Sequence, residues 1–334
     1  MAGAGLGEFE LIRRYFARAG ARPGAGTTIL GIGDDAAVLR VPAGCDLVAA
    51  VDTIVEGRHF LGGSDPRSIG HRALAVNLSD LAAMGAIPAW ATLALTLPAA
   101  DPDWLEGFAA GFFDLARAHG VELVGGDTTA GPLTISVQIL GVVPAGEALR
   151  RDGARPGDLI AVTGTLGDAG AGLEIARSPE RPRDAHAQEL LRRYEFPAPR
   201  VAFGRAARGI ASAAMDVSDG LAGDLAKLAA ASGVAAVVDV EGLPLSAALQ
   251  AVASPDEALD HALGGGDDYE LLLAVAPAAA PRLAAAAAGT ATPFTVIGTC
   301  RAGDGVCWTR GGRPFVPRRG GFDHFGGAST QFTD

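Results

Sequence analysis

The chain has 334 residues, of which 49% are hydrophobic and 19% are charged, and its formal net charge is −11. This composition is typical of a globular enzyme and excludes a disordered chain, while the length predicts about two domains. The acidic balance, with no basic patch to neutralise phosphates, argues against a nucleic-acid partner.

The cysteines and the apolar segments indicate the compartment. Cys45, Cys300 and Cys307 are the only cysteines, and their scattered positions favour neither a disulfide framework nor a zinc site. The N-terminal residues carry acidic side chains where a signal peptide needs an apolar segment. No uninterrupted apolar run of about 18 residues predicts a membrane span. We therefore expect a cytoplasmic protein with no membrane partner.

The first half of the chain predicts alternating helices and strands. An amphipathic helix is expected over 7–20, strands over 27–33, 46–57 and 89–98, and a helix over 68–85. The helix over 101–120 has Asp101 as its N-cap, Pro102 at its first position and Gly120 beyond its end. Residues 121–126 and 132–144 are predicted to form two strands of a hairpin, joined by the wide turn DTTAG.

Turn-forming and charged residues cluster over 146–158, which predicts a domain boundary and hence domains 1–147 and 148–334. Helices are expected over 167–177, 187–194, 199–211, 219–233 and 280–291. Strands are expected over 158–164, 212–217, 234–240, 270–276, 294–300 and 306–315. Both halves mix helices with strands and antiparallel hairpins. The predicted class is therefore α+β or mixed α/β, in two domains.

Aspartates recur where predicted strands end, at turns and on one helix face. Each one alone is ordinary turn chemistry, but Asp is depleted within strands, and strand ends are where loops reach ligands. Oxygen ligands without a His or Cys cluster indicate Mg²⁺ rather than zinc. The set comprises Asp34, Asp35, Asp52, Asp80, Asp127, Asp216, Asp219, Asp267 and Asp268.

The helix that carries Asp80 has two neighbouring stripes. Leu74, Leu78 and Leu81 are spaced to form a buried stripe, and Asn77 lies three residues before Asp80 on the adjacent one. Asp80 is therefore expected to be partly buried, which requires a partner such as a metal ion, a backbone amide or an arginine.

Several positions could bind phosphate. Gly126 and Asp127 offer bare backbone amides beside a carboxylate, Ser218 precedes a predicted helix N-terminus, and Arg151 could clamp a phosphate or remain a solvated charge. The chain has no Walker GK[ST] motif, and its only lysine, Lys227, follows no glycine-rich loop. If ATP binds, we expect metal ions, amides and arginine to hold it.

With these features in view, the motifs resemble the thiamine-monophosphate kinase family, of the aminoimidazole-ribonucleotide-synthetase-like superfamily. In chain order, they are GEFELIRRYF, GIGDDAAVL, VDTIVEGRHF, ALAVNLSDLAAMGAIPAW, GGDTTAGPLTISVQILG, RPGDLIAVTG, MDVSDGL and GGDDYELL. The resemblance covers about residues 7 to 326.

The resemblance implies an N-terminal α+β domain that forms a homodimer and a C-terminal α/β domain with nucleotide and substrate contacts. It implies Mg²⁺-assisted transfer of the ATP γ-phosphoryl group to thiamine monophosphate, the last step of thiamine diphosphate biosynthesis, with several Mg²⁺ ions. The matching metal ligands are Asp35, Asp52, Asp80, Asp127, Asp216 and Asp219. The matching ATP contacts are Gly126, Asp127, Arg151 and Ser218, and the substrate contacts are His59, Asp267 and Phe322.

Two positions depart from the family pattern. Ala50 and Val51 stand where the family often has Ser and Thr before the aspartate that matches Asp52, so Val51 could bind metal only through its backbone oxygen. Asp267 replaces a Glu of the family, and its carboxylate is one methylene shorter. In GIGDDAAVL, adjacent side chains leaving a strand point apart, which favours Asp34 for the turn and Asp35 for the metal.

Two alternatives stay open at this point. The chain could be another ATP-dependent enzyme of the superfamily, although neither a cysteine before Cys45 nor a C-terminal cysteine supports selenide activation or carbamoyl dehydration. It could also be a non-catalytic regulator that binds nucleotides or thiamine phosphates. Turnover distinguishes the enzyme from the regulator.

Overall fold

The computed structural model describes residues 7–17, 27–178, 180 and 184–322. The described chain forms two compact units. Unit 1 contains the chain up to Leu81 together with Ile87–Gly146, and unit 2 contains Ala82–Ala86 and the chain from Glu147 onward.

Unit 1 is a four-stranded sheet with two long helices and a short N-terminal helix. The sheet order is β3-β6-β4-β5, with β4 and β5 parallel and the other pairs antiparallel. Strands β1 and β2 form a separate antiparallel ribbon. The elements are α1 (Glu8–Leu11, continued as a π-helical turn over Ile12–Ala17), β1 (Thr28–Leu30), β2 (Val38–Leu39), β3 (Cys45–Val55), α2 (Pro66–Ala83), β4 (Ile87–Leu97), α3 (Pro102–His119), β5 (Glu122–Ala130) and β6 (Thr134–Pro144).

Helix α3 begins and ends as its sequence predicts. The Asp101 carboxylate accepts bonds from the Asp103 and Trp104 amides, and Gly120 adopts the left-handed conformation at the C-terminus. Leu74, Leu78 and Leu81 on α2 are fully buried, as their spacing predicts. Gly70 allows α2 and α3 to approach closely, because any larger residue there would place a Cβ on the Phe108 carbonyl oxygen of α3. These contacts fix α2, which carries Asp80.

The predicted hairpin over 121–144 is wrong. Strand β5 continues through Asp127 to Ala130 instead of ending in a turn, and it pairs with β4 in parallel. Strand β6 pairs with β3 and β4. The chain enters β5 from helix α3, and a helical connection of this kind allows two neighbouring strands to run parallel.

Unit 2 is a seven-stranded mixed sheet with helices, in the order β13-β12-β9-β11-β7-β10-β8. Only the β9–β12 pair of this sheet is parallel among the described strands. The elements are β7 (Leu159–Thr163), α4 (Asp168–Arg177), α5 (Ala185–Glu195), α6 (Val201–Ala207), β8 (Ala213–Val217), α7 (Leu221–Ser232), β9 (Ala235–Asp239), a 3₁₀ turn (Val240–Gly242), α8 (Ala247–Val252), α9 (Pro255–Gly264), β10 (Glu270–Val275), α10 (Ala280–Gly289), β11 (Phe294–Arg301), β12 (Val306–Arg310) and β13 (Arg313–Phe315).

The predicted mixed α/β class is confirmed in both units. The core of unit 2 joins Ile160 and Val162 of β7 to Leu225 and Leu228 of α7. A second cluster, which includes Ile175, lies among α4, α5, α8 and α9. Within the described ranges, no helix is long and apolar enough to cross a membrane.

Candidate active site

Asp34 and Asp35 lie in the turn that follows β1, and both are exposed. The Asp35 amide donates to Asp34 Oδ1 over 2.8 Å. Asp34 therefore stabilises the turn, as the sequence predicts, because Asp side chains commonly accept bonds from nearby backbone amides. The assignment of Asp35 to a metal stays a prediction.

Asp52 and Asp80 are connected through Asn77. Asp52 is half-buried near the end of β3, and its backbone amide donates to Asn77 Oδ1 over 3.1 Å. Asn77 is fully buried on α2, where its amide nitrogen donates to the Ala73 carbonyl. Asp80, also half-buried, follows Asn77 by about one helical turn. The Asn77 bond therefore fixes the Asp80 end of α2 against the strand that carries Asp52.

Gly126 lies inside strand β5, as predicted, and Asp127, the first residue of the predicted turn, also lies in that strand. Gly126 has φ 152°, and a Cβ there would overlap the Leu93 carbonyl oxygen of β4. The glycine is thus required for strand packing, whatever its role toward a nucleotide. Asp127 is exposed, and its Oδ1 accepts a bond from the Thr128 amide over 2.9 Å.

Val51 and His59 complete the predicted set in unit 1. The Val51 side chain is 63% exposed and lies on the opposite face of β3 from Asp52, so only its backbone could serve a metal. His59 Nδ1 accepts a bond from the Val55 amide over 3.0 Å. The ring proton of neutral His59 therefore resides on Nε2, which makes that nitrogen a hydrogen-bond donor.

In unit 2, the turn between β8 and α7 carries Ser218 and Asp219. Both backbone amides donate to Asp224 Oδ2 over 3.0 Å, and Asp224 is fully buried. Lys227 Nζ bonds Asp219 Oδ2 at 2.6 Å and Asp224 Oδ1 at 2.9 Å. Burial raises the pKa of Asp224, although Lys227 and the amide of Asp219 oppose that shift. Asp224 thus shapes the turn, and Lys227 neutralises charge beside it.

The same turn adjoins both predicted substrate residues of unit 2. The Asp267 amide donates to the Ser218 carbonyl over 2.8 Å, and the Phe322 amide donates to the Asp219 carbonyl over 2.9 Å. The segment that carries a predicted ATP contact and a predicted metal ligand is therefore bonded to the backbones of two predicted substrate contacts. Asp216 is half-buried in β8, three residues before Asp219.

Arg151 lies elsewhere in unit 2. It is exposed, and its carbonyl accepts a bond from the Ser232 hydroxyl over 2.8 Å. Ser232 is the last residue of the 12-residue helix α7, whereas Ser218 precedes the first. The backbones of Arg151 and Ser218 are thus separated by about 18 Å of helix. The structure therefore does not bring the backbones of these two predicted ATP contacts together.

Asp268 and Glu270, which flank Tyr269, form a buried network that the sequence analysis did not predict. Asp268 accepts bonds from the Gly167 and Ala169 amides at the start of α4. Glu270 accepts bonds from Thr163, Arg193 and Arg200. Strand alternation could not have revealed the pair, because Asp268 precedes β10 and lies between two residues with positive φ.

The two carboxyls of this network differ in their charge environment. Burial raises the pKa of Asp268 well above its usual range, and the Gly167 and Ala169 amides offset that shift only in part. Burial alone would also raise the pKa of Glu270, but Arg200 and Arg193 outweigh it, and the net shift is downward. Glu270 is therefore ionised in its two-arginine clamp.

A cavity of about 320 Å³ in unit 2 does not include the predicted site. Glu174, Asp184, Glu257 and His261 contribute its polar lining. Burial lowers the pKa of His261, although nearby Glu174 opposes the shift. No residue of the predicted metal, ATP or substrate sets lines this cavity, and we therefore assign it no part in the chemistry.

The predicted carboxylates suit Mg²⁺ by their chemistry, because hard oxygen donors are the ligands it prefers. They are divided between the units, with Asp35, Asp52, Asp80 and Asp127 in unit 1 and Asp216 and Asp219 in unit 2. Among the residues that the structure describes, no three His, Cys, Asp or Glu side chains form a metal-binding group.

The two mixed α/β units, each of which carries some of the predicted carboxylates, define a class of two-domain protein. Residues 33–143 match the family AIR synthase related protein, N-terminal domain, and residues 155–307 match AIR synthase related protein, C-terminal domain. The chain is also 47% identical over 321 residues to the thiamine-monophosphate kinase of Escherichia coli (strain K12), covering 96% of this chain and 98% of the relative. The chain belongs to the thiamine-monophosphate kinase family.

Solved structures agree with this membership. The crystal structure of thiamine-monophosphate kinase from Stenotrophomonas maltophilia K279a has a TM-score of 0.84 at 47% identity, over 93% of this chain and 98% of that chain. A structure described as AaThiL complexed with AMPPCP and TMP has a TM-score of 0.76 at 32% identity, over 85% of this chain and 89% of that chain. The resemblance and fold class predicted from the motifs are thereby confirmed.

Proposed function

We propose that this protein is a kinase that transfers the γ-phosphoryl group of ATP to thiamine monophosphate, which gives thiamine diphosphate and ADP. The observation that carries the proposal is the 47% identity to a thiamine-monophosphate kinase over 96% of the chain. The relative that is complexed with AMPPCP and TMP supports the two substrates.

The reacting groups make few demands on acid–base chemistry. The acceptor is a phosphate monoester, which is largely dianionic near neutral pH and can attack without first losing a proton. The main requirement is to bring two polyanions together. Bound Mg²⁺ would neutralise and align their phosphate oxygens. The residues that would hold it are Asp35, Asp52, Asp80, Asp127, Asp216 and Asp219, with the backbone oxygen of Val51.

The remaining residues bind and orient the substrates. Gly126, Asp127, Ser218 and Arg151 would contact ATP, with Ser218 offering a hydroxyl beside a helix start and Arg151 a guanidinium. His59 would donate from Nε2, Asp267 would accept from the aminopyrimidine, and the Phe322 ring would pack against the thiamine rings. The 39% exposure of Phe322 is compatible with that contact.

The direct test is turnover. Purified protein with ATP, Mg²⁺ and thiamine monophosphate should convert the monoester ³¹P signal into the two coupled signals of a diphosphate ester. Removal of Mg²⁺ with EDTA should stop product formation, and excess Mg²⁺ should restore it. Replacement of ATP by AMPPCP provides the control without a transferable group. Tight binding of both substrates with no product would contradict the kinase and favour the non-catalytic regulator.

We further propose that the protein is a cytoplasmic homodimer that pairs through unit 1. Strand β3 exposes Leu47 and Val51, and the β1–β2 ribbon exposes Ile29, Leu30 and Val38. Large apolar side chains gathered on one part of a surface mark an interaction site. All three cysteines carry free thiols, which is compatible with a reducing compartment.

A further inference from the structure

Tyr269 contacts the side chain of a predicted substrate residue. Its hydroxyl donates to Asp267 Oδ1 over 3.1 Å. Only 9% of Tyr269 is exposed, so its ring is held by packing, whereas Asp267 is half-buried. A packed tyrosine has little rotational freedom, and its hydroxyl is therefore a fixed donor for the more accessible carboxylate.

The backbone around this hydrogen bond is unusual. Asp267 has φ 73° and Tyr269 has φ 49°. Among the described residues, Ala291 is the only other non-glycine residue with positive φ. Residues other than glycine rarely adopt a positive φ, and a pair of such residues persists only where the surrounding structure imposes the conformation.

The residues between and after these two supply that constraint. Asp268, 5% exposed, is bonded to the Gly167 and Ala169 amides, and Glu270, 1% exposed, is clamped by two arginines. The Asp267 amide is bonded to the Ser218 carbonyl, and the Tyr269 amide to the Val217 carbonyl. Two buried anchors and two backbone bonds therefore hold the segment 267–270 in place.

We propose that Tyr269 is a positioning residue that orients the Asp267 carboxylate for recognition of the thiamine moiety. The inference rests on the proposed function and adds a residue to its substrate site. A hydrogen bond to Oδ1 restricts rotation of the carboxylate and thereby sets the direction of Oδ2. The ligand chemistry that suits an oriented carboxylate is an N–H donor, such as the exocyclic amino group of the pyrimidine ring.

The test is Tyr269→Phe, which removes the hydroxyl and keeps the packed ring. We expect the KM for thiamine monophosphate to rise about three- to tenfold, the range for loss of one hydrogen bond. The kcat and the KM for ATP should stay within about twofold, because the change affects binding of one substrate only. Tyr194→Phe, which removes a buried tyrosine hydroxyl from α5 in the same unit, should change none of these constants.

A double-mutant cycle with Asp267→Ala determines whether Tyr269 acts through Asp267. In the Asp267→Ala background, Tyr269→Phe should not raise the KM for thiamine monophosphate further, since its target is gone. Additive increases would overturn the proposal. An unchanged KM for thiamine monophosphate in Tyr269→Phe alone would also overturn it. The same holds if kcat falls and both KM values rise by equal factors in Tyr269→Phe while its melting temperature is lowered.

The wild-type protein separates this proposal from the proposed function. If the wild type phosphorylates thiamine monophosphate and the two substitutions act additively, the positioning role fails while the kinase stands. If the wild type forms no thiamine diphosphate, the kinase fails. Equilibrium binding of thiamine monophosphate then replaces KM in the same cycle, and additive losses of affinity again overturn the positioning role.

Discussion

At the scale of single residues, four of the predicted site residues are held by neighbours outside the predicted set. Asn77 bonds the Asp52 amide, Asp224 bonds the amides of Ser218 and Asp219, and Tyr269 bonds Asp267. These neighbours are buried, and their hydrogen bonds form without any bound ligand. The orientation of the site residues is therefore built into the fold, which reduces the ordering that ligand binding must otherwise impose.

The sharpest prediction at this scale is Asp80→Asn. The amide is isosteric and keeps an acceptor oxygen, but it lacks the charge that a metal ligand supplies. We expect kcat to fall at least about a hundredfold, while the free energy of unfolding changes by less than about 1 kcal/mol. Steady-state kinetics and urea unfolding measure the two quantities.

Glu106→Gln on the exposed side of α3 is the matched control, since it removes one carboxylate charge from the same unit. It should leave kcat unchanged. If Asp80→Asn instead unfolds at a lower urea concentration while the folded fraction keeps normal turnover, Asp80 is a structural residue and its place in the metal set is wrong.

At the scale of elements, local signals predicted structure where the determinants are local. Helix α3 has its cap, its proline and its terminal glycine within the predicted bounds, and Gly233 ends α7 in the left-handed conformation. The hairpin prediction for β5 and β6 failed because the partner of β5 is β4, on the far side of a helix in the sequence. Strand pairing depends on the packing of α3, which periodicity does not encode.

Site residues follow the same division. The aspartates were predicted as site residues because turns and strand ends are visible in the sequence. The bond from the Asp52 amide to Asn77 spans 25 residues, and only the folded chain brings these two together. Asp224 and Tyr269 lie within six residues of their partners, but their bonds depend on the turn before α7 and on the positive φ of Asp267 and Tyr269, which residue type alone does not predict. Helices α8 and α9 were missed although Ser254, Pro255 and Glu257 form a recognisable start signal.

The caps of these two missed helices allow a test of element stability. Ser254 caps α9 in a reciprocal capping box with Glu257. Ser246 caps α8 by accepting from the Leu249 amide, and it also donates to the buried Asp168 carboxylate over 2.6 Å. We expect Ser254→Ala to cost about 1 kcal/mol of unfolding free energy and Ser246→Ala about 2 to 3 kcal/mol, because a bond to a buried carboxylate is also lost.

Urea unfolding monitored by far-UV circular dichroism measures both losses, and each variant is the control for the other. Neither serine belongs to the predicted site, so kcat should be preserved in both variants. Equal losses would mean that the Ser246–Asp168 bond contributes nothing to stability beyond the cap.

At the scale of the whole molecule, one face of the unit 1 sheet differs from the other. The face toward the helices buries Ile135, Val137 and Ile139 of β6 almost completely. The opposite face exposes Leu47 and Val51 of the edge strand β3. Exposed apolar side chains on a strand edge invite pairing with another chain, and most symmetric oligomers use one self-complementary patch.

The proposed homodimer predicts a specific response to Leu47→Asp. In a two-fold interface each substitution occurs twice, so two carboxylates would be buried without partners and the dimer should dissociate. Light scattering coupled to gel filtration should give twice the chain mass of 33.6 kDa for the wild type and the chain mass for the variant. Val316→Asp, at an apolar position of unit 2 that is 83% exposed, should remain dimeric. A wild-type protein that elutes as a monomer at about 50 μM would exclude this face as the interface, since symmetric pairs that bury a self-complementary patch form well below that concentration. A Leu47→Asp protein of unchanged mass and intact circular dichroism would exclude it as well.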